Sequence, residues 1–212
     1  MALAARRTTA QPLFAALRSG AVSKRDISAF AARQLQRVLG PAFADFWGPV
    51  AQPAEAGRRE IARYKAMLTE DTIAKANLGN GRALFERTCA ACHTLYGQGG
   101  KIGPDITGSN RANLDYILGE IITPSDVIQD GYHLVTITTR DGRTLAGNIA
   151  AEDERQVTLR LIGQDTIVAK SEILSREVSP QSMMPEGLLQ TLSADEVRDL
   201  IGYLRTSKPV AP

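Results

Sequence analysis

The sequence predicts a mainly α chain in which a helical domain is interrupted by a small antiparallel sheet and preceded by a short helical segment. Apolar residues recur at intervals of three and four along the first part of the chain and again near the C-terminus. From Tyr132 the apolar period changes to two, which is the period of a strand, and near Ser193 it returns to the period of a helix. We therefore divide the chain into a helical segment, 1–75, and a second domain, 76–212, with a β-rich insertion at about 131–179.

The N-terminal segment is expected to contain several helices. Gly20, Gly40 and the stretch 48–53 interrupt its helical pattern, and Gly40-Pro41 is typical of a helix end. Residues 1–65 hold 11 Lys and Arg against 4 Asp and Glu, whereas residues 66–212 hold 14 against 19. These basic residues lie among helix-period apolar residues without interleaved aromatic side chains, so we expect a solvated helical face or a protein contact rather than nucleic acid binding.

The second domain begins with a helix that opens near Gly81 and runs into the sequence CAACH. The glycine-rich stretch YGQGGKIGPDITGSN after it is predicted to be a loop, and a short helix follows over 114–122. Asp141-Gly142 is typical of a tight hairpin turn within the insertion. Ser193 and Glu196 have the spacing of a capping box that begins the last helix.

The composition places the chain among globular proteins, since 43% of its 212 residues are hydrophobic. It contains no apolar run of the roughly 18 residues that a membrane-spanning helix needs. The first residues, MALAARRTTAQPLF, lack the apolar centre and cleavage site of a secretory signal. We therefore expect either that a signal has been removed or that the sequence is a piece of a longer exported protein.

The motif with the most specific chemistry is Cys89-Ala90-Ala91-Cys92-His93, the attachment signature of c-type haem. Two thiols three positions apart can form thioethers with the two vinyl groups of one haem, and the adjacent imidazole can then bind its iron. A redox-active dithiol, half of a zinc site or a structural disulfide are the alternatives. The zinc alternative lacks further ligands, and the dithiol alternative leaves His93 unexplained.

A haem that transfers electrons needs a second axial ligand, and a thioether sulfur suits this role. The candidates are Met67, Met183, Met184 and His133. Met67 has the helical spacing of a core residue, and His133 is predicted to lie in a strand. We favour Met184, because Pro185 after it imposes an extended conformation and the last helix follows shortly.

Two residues of the loop after the motif are further candidates. A turn at Gly103-Pro104 could bring a backbone carbonyl against the second ring nitrogen of His93, which would fix the ring and raise its basicity. Arg111 could pair with a haem propionate, since guanidinium groups bind carboxylates bidentately. An ordinary turn and an exposed arginine are the corresponding alternatives.

Several segments together resemble a family of c-type haem domains at the C-terminal end of large exported proteins of planctomycetes and verrucomicrobia. They are GRALF, CAACHTLYGQGGKIGPDITGSNR, LDYIL, ITPS and SMMPEGLLQTLSADEVRDLIGYLRT, which span about residues 80–206. The resemblance implies a fold similar to class I cytochromes c, with crossing terminal helices and a β-rich insertion. It also implies Met184 as the distal ligand and Pro104 as the acceptor for the proximal histidine.

The resulting expectation is a monohaem electron carrier without enzymatic activity of its own, with one covalent haem c ligated by His93 and Met184. The resemblance implies a redox partner, such as an attached or neighbouring dehydrogenase, and a periplasmic or otherwise exported location. One alternative is a haem enzyme or a gas or peroxide sensor with an open distal site, for which His133 and Arg111 are the candidate polar groups. Another is an interaction module in which the insertion binds a partner.

Overall fold

The computed structural model describes residue 4 and residues 7–27, 29–48 and 54–211. The first part of the chain is helical, as predicted. Its helices are α1 (Arg7–Arg18), α2 (Ala29–Leu39), α3 (Pro41–Trp47), α4 (Glu55–Met67) and α5 (Glu70–Ile73). Gly40 ends α2 with a positive φ of 69°, but the chain enters α3 directly at Pro41, because proline suits the first turn of a helix. Most of the predicted break at 48–53 lies outside the described residues.

The helices α1 to α3 enclose a small apolar core of their own. Phe43 is fully buried there, and the ring of Phe14 contacts the rings of Phe43 and Phe46 edge-on at centroid distances of 5.6 and 5.5 Å. Val127, which belongs to the second domain, packs against the same core. The N-terminal helices therefore contact a residue that also lines the cleft beside the CAACH motif.

The second domain is organised by the crossing of α6 (Leu78–Thr88) and α8 (Ala194–Leu204). A Cβ atom at Gly81 would lie 2.1 Å from the backbone oxygen of Asp199, so only glycine permits this approach of the two helices. Phe85 is 3% exposed and its ring lies 5.7 Å from that of Tyr203. The predicted capping box of α8 is present, with Ser193 and Glu196 each bonded to the other's backbone N–H.

A further helix, α7 (Leu114–Ile122), has the predicted bounds and packs against α4. Tyr64 of α4 and the adjacent Leu68 are buried in the same core as Phe85. Residues on both sides of the predicted domain boundary at 75/76 thus pack in one core. The boundary itself stays a prediction.

The insertion forms a five-stranded antiparallel sheet. Its strands are β3 (Val135–Thr139), β4 (Thr144–Glu152), β5 (Gln156–Leu161), β6 (Gln164–Ala169) and β7 (Ile173–Val178), in the order β6-β5-β4-β3-β7. Gly142 has a φ of 88° in the predicted turn between β3 and β4. The sequence pattern did not indicate β7, whose side chains are mostly exposed. His133 was predicted to lie in a strand, and this was wrong, because it precedes β3.

The prediction of a mainly α chain is not confirmed. The structure is 44% helical and 18% strand, so the sheet is a major part of the molecule. A separate two-stranded hairpin is formed by β1 (Thr94–Leu95) and β2 (Gln98–Gly99). Within the described ranges, no helix has the length and apolar character needed to cross a membrane.

The contact between α6 and α8 can be tested at Phe85. We expect Phe85→Ala to lower the free energy of unfolding by about 3–5 kcal/mol, because it removes a buried ring from the helix crossing. Denaturant unfolding followed by circular dichroism measures this loss. Leu174→Ala, at a side chain 62% exposed on β7, is the control and should change stability by less than about 0.5 kcal/mol. A loss below about 1 kcal/mol for Phe85→Ala would contradict the burial of the Phe85 ring between α6 and α8.

Candidate functional site

The CAACH motif begins where α6 ends. The backbone N–H groups of Cys89 and Ala90 both donate to the Phe85 carbonyl, at 2.8 and 2.9 Å, and the N–H of His93 donates to the Cys89 carbonyl at 2.9 Å. The motif is therefore one further helical turn, held by the last turn of α6. The helix crossing in this way fixes the place of both cysteines and of His93.

Cys89 and Cys92 are not bonded to each other, and both line a cleft. Burial, with a further contribution from the neighbouring Cys92, raises the pKa of the Cys89 thiol to about 12. A redox-active dithiol needs a lowered pKa, because the thiolate is the reacting species. The environment of Cys89 therefore does not favour the dithiol alternative. Among the described residues, no group of three or more His, Cys, Asp or Glu side chains is arranged to hold a metal ion, so zinc gains no support.

His93 is oriented by the loop that follows it. Its Nδ1 lies 3.0 Å from the backbone oxygen of Pro104, the contact that the sequence predicted for this turn. The carbonyl can only accept, so Nδ1 carries the proton and the Nε2 lone pair is left for a ligand bond. Burial lowers the pKa of His93, and the hydrogen bond to Pro104 opposes this in part. The ring is consequently neutral at pH 7, as an iron ligand must be.

Glycines allow the loop to pass close to the motif. A Cβ at Gly99 would lie 2.2 Å from the His93 oxygen, and one at Gly100 would lie 2.1 Å from the Ala91 oxygen. At Gly103 it would lie 2.8 Å from Cε1 and 2.9 Å from Nδ1 of His93. The glycine-rich sequence is thus required by contact with the motif and with the imidazole ring itself.

Arg111, the candidate propionate partner, is bonded to backbone carbonyls of the loop and of the C-terminal end of α8. Its side chain is 7% exposed and is absent from the cleft lining. Its Nε donates to the Ile106 carbonyl at 2.8 Å, and its two terminal nitrogens donate to three further backbone carbonyls, those of Thr107, Leu204 and Thr206. With its donors used in this way, Arg111 fastens the loop to the C-terminal end of α8. The pairing of Arg111 with a haem propionate stays a prediction.

A cleft of about 390 Å³ joins the predicted site residues, except for Arg111. Cys89, Cys92, His93 and Pro104 line it, and so do Met183 and Met184. Apolar side chains complete much of the lining, namely Ile102, Ile106, Val127, Ile128 and Leu188. The donor set of two thiols, a neutral imidazole and two thioethers in an apolar cleft fits a covalently attached haem. His93, with Met183 or Met184, would hold its iron.

The methionine loop is fixed by two serine side chains. The Met184 N–H donates to Ser182 Oγ at 3.1 Å, and the Ser182 N–H donates to Ser125 Oγ at the same distance. Met67 instead packs against the core around Phe85, as its helical spacing predicted. His133 is not among the residues that line the cleft.

Further polar residues of the cleft were not predicted as site residues from the sequence, and three of them come from different parts of the chain. Tyr116 lies on α7, Tyr132 precedes the sheet, and Asp26 comes from the N-terminal segment. Burial, with a contribution from the Glu120 carboxylate, raises the pKa of Tyr116 to about 12, so its hydroxyl stays protonated. Of the three, Tyr116 lies in LDYIL, a segment that carries the family resemblance, and only the packing of distant segments brings all three to the cleft.

Residues 78–208 match the protein family described as cytochrome c. The match covers more than half of the chain and includes α6, the motif, the insertion, both methionines and α8. A search of curated proteins finds no significant match.

The contact between the loop and the imidazole can be tested at Gly103. We expect Gly103→Ala to displace the His93 ring from Pro104 and to lower the free energy of unfolding by about 1–3 kcal/mol, because the new methyl group overlaps the ring. Denaturant unfolding gives the loss of stability, and the Nδ1–H resonance of His93 reports the hydrogen bond. Gly108→Ala is the matched control, since Gly108 also lines the cleft but has open space around its Cα. Equal behaviour of the two variants would contradict the proposed contact.

Proposed function

Because the chain belongs to the cytochrome c family, whose members bind haem c covalently, we propose that it carries single electrons with one haem attached through Cys89 and Cys92. His93 and Met184 are the proposed axial ligands. The haem iron supplies the one-electron couple. The protein supplies the attachment, the two ligands and a cleft that limits the access of water.

The observation that carries this proposal is the geometry of His93. Its Nδ1–H is bonded to Pro104 at 3.0 Å, the adjacent thiols line the same cleft, and two methionines line it as well. Holding the imidazole in one tautomer and one orientation strengthens it as a ligand. Axial ligands that are held in place keep the change of iron coordination between the ferrous and ferric states small. A small change suits a protein that carries electrons.

Met184 is preferred to Met183 for the second ligand. Both line the cleft, but the hydrogen bond from the Met184 N–H to Ser182 and the proline that follows constrain the backbone of Met184 on both sides. A backbone constrained in this way delivers the sulfur with little loss of conformational entropy. The resemblance of SMMPEGLL to the haem-domain family supports the same choice.

The haem enzyme or sensor gains less support. That alternative assigned the polar groups near the iron to His133 and Arg111, and neither residue lines the cleft. Arg111 has its donors engaged with backbone carbonyls. The electron carrier is therefore the function that the site supports best.

We also propose that the electrons come from an attached or partner dehydrogenase and that the protein works in the periplasm or another exported location. The resemblance of residues 80–206 to haem domains of exported planctomycete and verrucomicrobial proteins supports both proposals. Fractionation of cells that express the native gene, followed by haem staining, tests the location. Haem staining confined to the cytoplasmic fraction would overturn it.

The covalent attachment is tested by removing the thiols. We expect haem to remain with the polypeptide after denaturation and acidic organic extraction, because thioether bonds survive this treatment. The double variant Cys89→Ala, Cys92→Ala should release essentially all of it. Absorption of the extracted pellet, from protein made in a host competent for c-type maturation, measures the bound haem. A preparation from that host that contains zinc or a free dithiol in place of haem would refute the assignment.

The second ligand is tested by exchanging each methionine. Met184→Ala should abolish the weak red absorption band that ferric haem shows with a methionine ligand, lower the reduction potential and open the iron to carbon monoxide. Met183→Ala, the matched control, should leave all three nearly unchanged. The double substitution shows whether Met183 replaces the missing sulfur. Rapid carbon monoxide binding by the unmodified protein would favour the sensor or enzyme instead.

A further inference from the structure

The sheet of the insertion reaches the loop that orients His93. Asn148 lies on β4, is 3% exposed, and donates a side-chain N–H to the backbone carbonyl of Ile102. Its cross-strand partner Arg160 donates to the preceding carbonyl, that of Lys101, at 3.5 Å. Of these two contacts only the first is buried, so Asn148 provides the stronger attachment.

The carbonyl that Asn148 binds belongs to the same peptide group as the N–H of Gly103. That N–H donates to the Cys92 carbonyl at 2.8 Å. One peptide group thus joins the sheet on one side to the CAACH motif on the other. Because each hydrogen bond polarises the peptide group, the two bonds strengthen each other.

The next residues along this segment contact the imidazole. Gly103 packs against the ring of His93, and the carbonyl of Pro104 accepts from its Nδ1. The position of the Ile102–Gly103 peptide therefore sets where the Pro104 carbonyl lies. Without Asn148 the buried Ile102 carbonyl would lose its donor, and the exposed contact of Arg160 with the Lys101 carbonyl would be left to connect the sheet to this segment.

We propose that Asn148 is a positioning residue for His93, through which the inserted sheet tunes the reduction potential of the haem. The proposal rests on the proposed function, because it takes His93 to be the proximal ligand. Asn148 acts by holding the Ile102–Pro104 segment, which keeps the Nδ1–H···O bond short and the imidazole a strong donor. A stronger donor stabilises the ferric state, so the intact attachment lowers the potential.

The test is the substitution Asn148→Leu, which keeps a similar volume and removes the donor. Loss of a direct hydrogen-bond partner of a ligating histidine typically changes metal affinity or activity by about 10–100-fold. Asn148 acts one contact further away, so we expect the ratio of ferrous to ferric protein at a fixed ambient potential to rise about threefold. Spectroelectrochemistry of the matured protein measures the ratio. The Nδ1–H resonance of His93 in the ferrous protein should also exchange faster with solvent.

Thr139→Val is the matched control. Thr139 is 1% exposed and polar, lies on the same sheet, and its hydroxyl bonds to Asp141 and to the Arg143 carbonyl in the turn between β3 and β4. It should disturb the sheet without changing the ferrous to ferric ratio or the Nδ1–H exchange. If Asn148→Leu does not fold, Asn148→Ala removes the same donor without adding branched bulk.

Each outcome decides the question. A folded Asn148 variant with an unchanged ratio and unchanged exchange overturns the proposal, and so does an equal change in Thr139→Val. If the unmodified protein shows no reversible one-electron couple, the proposed function is what fails. The exchange rate of the His93 Nδ1–H needs no redox reaction, so it still decides whether Asn148 positions the ring.

Discussion

The approach of α6 to α8 at Gly81 is the constraint on which the rest of the site depends. A side chain there would overlap the backbone of Asp199, so the two helices can approach this closely only because residue 81 is glycine. The Asp199 carboxylate then accepts from the Asn77 N–H at 2.9 Å and from Asn80 Nδ2 at 2.8 Å, which holds the first turn of α6. Burial by itself would raise the pKa of Asp199, but these bonds and Arg198 keep it lowered, so the carboxylate stays charged at neutral pH. Because the CAACH motif continues the last turn of α6, the crossing also determines where the thiols and His93 lie.

The loop after the motif has little regular structure, yet it is tightly held. The hairpin of β1 and β2 turns back over the motif, with Tyr96 and Gly97 at positive φ values of 53° and 78°. The Tyr96 hydroxyl lies 2.9 Å from Thr206 Oγ1, and Arg111 bonds the loop to the same C-terminal segment. The segment that presents the Pro104 carbonyl is thus anchored to the motif and to the end of α8. This anchoring explains how a glycine-rich loop can hold the His93 imidazole in one orientation.

Sequence patterns predicted the local features of this molecule well and the long-range ones poorly. The capping box at Ser193, the bounds of α7 and the contact between His93 and Pro104 each depend on residues that are close together in the chain, and all three are present. The hydrogen bonds that Arg111 makes were not predicted, because its partners at Leu204 and Thr206 lie more than ninety positions away. The strand β7 was missed for a related reason: as an exposed edge strand it has no alternation of buried and exposed residues. Asp26 in the cleft depends on the packing of the N-terminal helices, which no local pattern encodes.

The way in which the sheet is inserted explains how it can interrupt a haem-binding framework without disrupting it. The chain enters the sheet through β3 and leaves through β7, and these two strands are neighbours, with Val135 opposite Val178. The points where the chain enters and leaves the sheet therefore lie about 5 Å apart, which is the spacing of paired strands. Just outside the sheet, the Ser179 N–H donates to the Leu134 carbonyl at 2.8 Å. Three residues later, Ser182 bonds to Ser125, on the segment that leads into the sheet. The methionine loop thus starts almost where the chain left the helical domain. A sheet joined in this way leaves the segments of His93 and Met184 on the same cleft, and the buried contact of Asn148 with Ile102 connects the sheet to the loop after the motif.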